Sequence, residues 1–380
     1  MLKKCEDNYF TTFSSPVVML DYHEQLERES KWHRCKVNTL QVEPLNESSP
    51  LYGNLSAFAS GISQDAVEDT AKNLGLAMRV DGECYPLRMT AYKSLLDRAK
   101  IGGTALPKLG RDVLAETLNA CLHLYSAEAL LLIRDEKIAA VHSGDPSDYS
   151  VLPINELLST LTRKLDERFP GAVFESGYTD HSCSSATWTL PGQKDDLLGA
   201  YAKVLKEQGK SAMAAKLMPG IRFMTSDTGV ASAKVSALLT GLQYPIHIGG
   251  CIAVDPRHQK KVNDFENALD QLFAQFGDSV AKLEKLLDIE LEYPVNAMTR
   301  ICKKLSLPKK AAVEAIAMFE MSYGGGSATA HDVFMALQEI PFILKSQNTP
   351  ESKMLVIEEN MARALTLKWS DYDLAKAVSY

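Results

Sequence analysis

Two lysine-rich stretches stand out in a chain whose formal net charge is -7: "RHQKK", with Arg257, Lys260 and Lys261, and "RICKKLSLPKK", with Arg300, Lys303, Lys304, Lys309 and Lys310. Cationic groups in such runs can meet successive phosphates of a nucleic acid, and on a helix Arg300, Lys303 and Lys304 share one face. Runs of like charge also serve simply as solvated surface, and neither an RNP-type aromatic motif nor a zinc finger accompanies these. The molecule as a whole repels polyanions, so contact with nucleic acid has to rest on a local patch of this kind.

A second candidate is "MSYGGGSATAHDVFMAL", where Gly324, Gly325 and Gly326 lead into a helical pattern. Glycines there can take left-handed backbone angles, and Ser327, Thr329 or Asp332 can cap a helix whose free amides attract an anion. A dinucleotide fingerprint is not met, because Thr329 stands where its third glycine belongs and no strand precedes it. A hinge between helices and an anion site both account for these residues. "QGKSA", with Gly209, Lys210 and Ser211, has Val204 where a phosphate-binding loop needs another glycine, and reads as a helix C-terminus.

Other polar clusters have less chemistry in them. "YTDHSCSS" gathers Asp180, His181 and Cys183, but on a strand the first points away from the other two, and the composition suits a turn. "IHIGGCIAVDPRH" matches no zinc spacing, "LDIELEY" reads as a solvated acidic face, and no G-x-S-x-G elbow occurs. Neither a metal nor an organic cofactor is expected.

The elements that must position these residues divide the chain. With 380 residues and 46% hydrophobic content, it has room for two or three domains with buried cores. Seven cysteines without paired spacing argue against a disulfide framework and for a reducing cytoplasm, and no apolar run suits a signal peptide or a membrane span. The first sixty residues read as short strands and loops. Helices are expected from Ser63, from Thr90 and over "GRDVLAETLNACLHLY"; "ALLLIRDEKIAAVHS" reads as a hairpin. Strand pairs and helices then alternate to Val254, and helices follow to the end. The expectation is an α+β protein: an N-terminal mixed segment over 1–125, a central antiparallel sheet domain over 126–256 and a helical C-terminal domain over 257–380.

Three stretches, "IAAVHSGDPSDYSVLPINELLSTL", "GIRFMTSDTGVASAKVSALL" and "GGGSATAHDVFMALQEI", resemble, in their order over residues 125–345, a phage and plasmid-like protein family of unknown function from prophages, plasmids and integrative elements. This chain has "HIGGCIA" where that family turns through Cys-x-Asn-Gly. The resemblance implies a mobile-element context, replication or recombination among its uses, and supplies no reaction. Within "SDTG", Asp227 can accept hydrogen bonds from a turn that Gly229 makes possible, and Tyr149, Arg222 and Asp227 are the candidates for a site on the sheet.

The expected function is a non-catalytic nucleic-acid-binding protein, with single-stranded DNA preferred to duplex as partner, no membrane partner, and a homo-oligomer as a further state. Two alternatives stand beside it. One is a small-ligand or nucleotide-binding enzyme using Gly324–Gly326. The other is an oligomeric or host-factor-binding protein that uses the apolar group Met318, Phe319, Met321, Phe334 and Met335.

Overall fold

A computed structural model describes residues 2–249, 252–254 and 262–380. The chain builds an α+β protein around two hydrophobic cores. The N-terminal core draws on Val37, Leu76, Leu95, Leu118, Leu131 and Val141, the larger one on residues from Phe13 to Trp369.

Two small antiparallel sheets line the first core, one formed by Lys31–Lys36, Glu128–Arg134 and Lys137–Ser143, the other by Gln41–Pro44, Leu76–Val80 and Glu83–Pro86. Helices Gln64–Lys72, Ala91–Ala99 and Arg111–Leu122 cover them. Ser63 caps the first of these helices by accepting the amide of Ala66 at 3.3 Å, a contact worth about 1 kcal/mol.

The hairpin at 128–143 turns through Asp135 and Glu136, whose φ values of 48° and 69° define the doubly left-handed turn that matches strand twist. Glutamate is a poor residue for that backbone, and its carboxylate compensates by accepting the amide of Ser63 at 2.6 Å. By sequence this hairpin groups with the central sheet. In the fold its first strand pairs with Lys31–Lys36, and it contributes Leu131, Ile138 and Val141 to the N-terminal core.

The first sixty residues also depart from expectation. Pro16–Glu29 is a helix of 14 residues with proline in its first turn, and it buries Met19, His23 and Leu26 at helical spacing.

The central sheet is antiparallel and has seven strands. Its order is Phe10–Phe13, Val173–Asp180, Ser184–Thr189, Met218–Thr225, Ala233–Thr240 and Ile246–His247, with Ile252–Val254 also paired to Ala233–Thr240. Strict alternation gives it two unlike faces. Ala186, Trp188, Ile221, Phe223, Val235 and Ala237 enter the core with residues of helices Ile154–Arg168, Lys194–Glu207 and Val262–Lys285. Ser185, Thr187, Arg222, Ser236 and Thr240 occupy the intervening positions.

The C-terminal helices add Met298, Ile301, Ala315, Phe334 and Leu337 to this same core. Helix Glu351–Ala362 adds Met354 and Met361 to it and is also tied to the polar face, through Glu358 to Arg222 and Glu359 to Lys234. Among the described residues no helix is long and apolar enough to cross a membrane.

Ion pairs, rather than apolar packing alone, join the N-terminal segment to the first core. Lys137, fully buried, donates to Asp7 at 3.0 Å and Asp69 at 2.5 Å, and Arg88 reaches Asp7 at 3.5 Å and the carbonyls of Lys4, Glu6 and Asp135. Arg134 extends this polar layer toward the sheet by pairing with Asp227. Each cation there has a carboxylate, the condition under which charge is tolerated in a low-dielectric interior.

Candidate nucleic-acid interface

Helices Pro294–Lys304 and Lys309–Tyr323 meet at a tight corner built by Leu305, Ser306, Leu307 and Pro308. Pro294 starts the first helix, and its Ala297, Met298, Ile301 and Cys302 are buried. Pro308 precedes the second, whose Ala311, Ala312, Ala315 and Phe319 are buried. The remaining positions at the corner are Lys303, Lys304, Lys309 and Lys310, and all four are exposed.

Lys303 and Lys304 end a helix, where the backbone dipole favours positive charge. Lys309 and Lys310 begin one, where it does not. Helix stability therefore gives no reason for the second pair. Among the described residues none of the four lysines forms an ion pair with a carboxylate, so four ammonium groups add at one corner, where the opposite helix ends offset each other.

Arg300 behaves differently. It is half-buried, its Nη2 donates to the carbonyl of Lys376 at 2.6 Å, and its Nη1 is sealed from solvent without a partner. It fastens the C-terminal tail and is not displayed with the lysines. Arg257, Lys260 and Lys261 lie outside the described residues.

The three sheet candidates fall into two separate clusters. Tyr149 stacks on His142, with ring centroids 3.7 Å apart and planes at 4°, and both reach the carbonyl of Asp227, at 3.1 and 2.8 Å. The carboxylate of Asp227 is taken by Arg134, which also donates to Ser30 at 2.7 Å. Burial pushes the Tyr149 phenol up and lowers His142 to about 4, so the ring is neutral at pH 7. Gly229 has φ of 75°, the left-handed angle its turn requires.

Arg222 lies on the polar face of the sheet. Its Nη1 donates to Glu358 at 2.5 Å and its Nε to Thr187 at 3.4 Å, while Tyr244 donates to the other oxygen of Glu358 at 2.6 Å. Burial raises the Glu358 carboxyl above its ordinary value, and Arg222 and Tyr244 pull it back. This is a charge-balanced buried set, with Arg222 only 7% exposed.

The glycine segment resolves into a turn. Gly324 and Gly325 take φ of 58° and 87°, ending the helix Lys309–Tyr323, and Gly326 and Ser327 lead on to Ala328–Thr329, which pairs with Glu290–Leu291. The next helix, Ala330–Leu337, starts with a reciprocal cap. Thr329 accepts the amide of Asp332 at 3.2 Å, and Asp332 accepts the amide of Thr329 at 3.0 Å. Lys210 pairs with Asp332 at 2.6 Å. The chain's own carboxylate thus sits where an anion would, and Lys210 from "QGKSA" serves this cap.

Asp180 makes the expected turn by accepting the amides of Ser182 and Cys183 at 2.6 and 2.9 Å. His181 is buried against the carbonyl of Glu6, and burial lowers its pKa well below the ordinary value. Thiols follow the same rule, Cys84 being pushed up to about 11 and Cys302 to about 12 by burial. Among the described residues no group of three or more His, Cys, Asp or Glu side chains is placed to hold a metal ion.

Arg134, Glu358, Glu359 and Lys234 do not stand out in the sequence as partners. Their only trace is charge at positions that strand or helix periodicity assigns to a buried face, as with the adjacent glutamates in "MLVIEENMA". No family model, curated protein or solved structure matches the chain.

Proposed function

We propose that this chain is a non-catalytic nucleic-acid-binding protein that engages single-stranded DNA in preference to duplex through Lys303, Lys304, Lys309 and Lys310. One observation carries the reading. These four exposed lysines crowd one helix corner without a carboxylate partner among the described residues, in a protein that pairs its buried cations. Unpaired ammonium groups keep their full field for a phosphate backbone, whose neutralisation releases counterions. The mobile-element setting rests on the resemblance of the stretches around Tyr149, Asp227 and Gly324 to the phage and plasmid-like family.

Titration of a labelled single-stranded oligonucleotide at several salt concentrations tests it. If each lysine meets one phosphate, the logarithm of the binding constant falls with a slope of about -3 against the logarithm of salt, at roughly 0.7 per contact. Replacing all four lysines by alanine flattens that slope. Absence of binding at low salt, or an unchanged slope in the variant, refutes the proposal.

A second reading has its own observation. On helix Lys309–Tyr323, Val313, Met318 and Met321 are exposed, Met321 at 85%, while Phe319 is buried. These apolar side chains, with the exposed Glu314 among them, suit a second copy of the chain, with Lys310 near one end and Glu320 near the other giving antiparallel helices complementary charges. Light scattering would show a dimer that Met321→Glu converts to monomer. A wild-type monomer at high concentration rules the dimer out.

A further inference from the structure

A groove of about 980 Å³ runs over the polar face of the central sheet, between the strand Phe10–Phe13 and residues 345–351. Its floor is ordered by strand register. Ser176, Thr187 and Arg222 are successive cross-strand partners, and Thr12, Tyr178 and Ser185 form the neighbouring row. Hydroxyls both donate and accept, so this floor offers hydrogen bonds of either polarity.

Arg222 contributes something more specific. Its Nε and Nη1 are engaged, but Nη2 has no hydrogen-bond partner among the described residues, and it is not among the polar atoms sealed from solvent. A guanidinium that is nine-tenths buried thus keeps one NH2 group free, and the residue lines the groove.

At the rim, Phe10 is 51% exposed and stacked with Tyr178, centroids 5.9 Å apart and planes at 20°. A half-exposed ring supported from behind is a plate for another flat ring. The charges in the groove do not favour an anion: Arg222 is matched by Glu358, and Lys345, which lies over the Tyr244 ring at 5.7 Å, shares the lining with Glu175 and Glu351.

We infer that this groove receives an unpaired nucleobase, stacked on Phe10, with its carbonyl or ring-nitrogen acceptors toward Arg222 and its amino groups toward the Ser and Thr hydroxyls. The inference rests on the nucleic-acid reading and divides the labour within it. Lysines at the corner hold phosphates, and the groove, which carries charges of both signs and no excess of cations, holds the part of the polymer that carries no charge. Stacking on an aromatic side chain releases no counterions, so the two contacts leave different signatures.

The test compares fluorescein-labelled oligothymidylate with an abasic oligonucleotide of the same length, on the full chain. Wild-type protein is expected to prefer oligothymidylate by about tenfold, the scale of one base on an aromatic ring. Phe10→Ala should erase that preference and leave the salt slope unchanged, and Phe10→Tyr should keep it. Equal binding of both oligonucleotides by the wild type overturns the groove assignment, while the lysine reading stands if the quadruple lysine variant loses affinity for both.

If neither oligonucleotide binds, the lysine reading fails and free thymidine decides the groove alone. Saturation transfer from protein to thymidine that vanishes in Phe10→Ala supports the site. No transfer, or transfer to maltotriose in place of thymidine, overturns it.

Discussion

Arg222 and Lys234 on the sheet, and Lys303, Lys304, Lys309 and Lys310 at the helix corner, carry the same charge and meet opposite fates. The sheet residues face Glu358 and Glu359 on one helix, at 2.5 and 2.8 Å; Arg222 is buried with its partner, and Lys234 is half-buried with its own. The corner lysines are exposed and meet no carboxylate among the described residues. A buried cation must be neutralised where it stands, because removing it from water costs several kcal/mol, whereas an exposed one keeps its hydration until a partner arrives. Paired charge therefore organises the fold, and unpaired charge is what the molecule can offer to a polyanion.

Breaking the buried side of this contrast should have the largest effect. Glu358→Ala leaves Arg222 uncompensated at 7% exposure, and urea denaturation should show a loss of about 3–5 kcal/mol. Glu358→Gln, which still accepts a hydrogen bond, should lose less. A loss below about 1 kcal/mol for the alanine variant would mean that the pair contributes no more than an exposed one.

Acid should act next. Burial lowers His23 and His142 to about 4 from an ordinary value of 6.5, so the unfolded chain binds protons that the folded one refuses. Their contribution to stability is complete above pH 6.5, declines as pH falls below it, and levels off near pH 4. The loss is on the order of 2–3 kcal/mol for each ring. His142→Gln should shrink the pH dependence of the denaturation midpoint between pH 6.5 and 4; an unchanged profile would take His142 out of the account.

The reciprocal cap on Ala330–Leu337 gives a smaller effect. Thr329→Ala removes the acceptor for the Asp332 amide and should cost about 1 kcal/mol in thermal or urea unfolding. Oligonucleotide affinity should not change, and a loss of affinity would return the glycine segment to the list of anion sites.

The smallest change in stability is the most discriminating. Lys309→Glu with Lys310→Glu places acidic groups at a helix N-terminus, where they gain about 0.3–1 kcal/mol each at low ionic strength. The variant should melt slightly higher than wild type while binding single-stranded DNA more weakly. A more stable protein with undiminished affinity would leave the corner as ordinary surface.

Much of the local structure was legible along the chain. Ser63 before an acidic first turn marked a capped helix, and the apolar runs flanking Asp135 and Glu136 marked a hairpin. The dipeptide Asp81-Gly82 carries an equally strong signal, for the hairpin Leu76–Val80 and Glu83–Pro86, that the helical run before it obscured. Pro16 and the spacing of Met19, His23 and Leu26 mark a helix too, but low overall hydrophobicity and nearby Ser and Pro make that segment read as a loop. The lysine corner was visible as composition. Its lack of a carboxylate partner among the described residues was not, since nothing in the local sequence says which acidic residue folds against it.

By itself the sequence determined periodicity, turns, caps and the local density of charge, because those depend on residues a few positions apart. Only the tertiary structure decided that Glu128–Arg134 pairs with Lys31–Lys36, that Arg222 meets Glu358 across 136 residues, and that Phe10 closes a groove beside Tyr178. Those choices come from burying two cores at once and neutralising every cation taken inside, conditions that apply to the whole chain and are written at no single stretch of it.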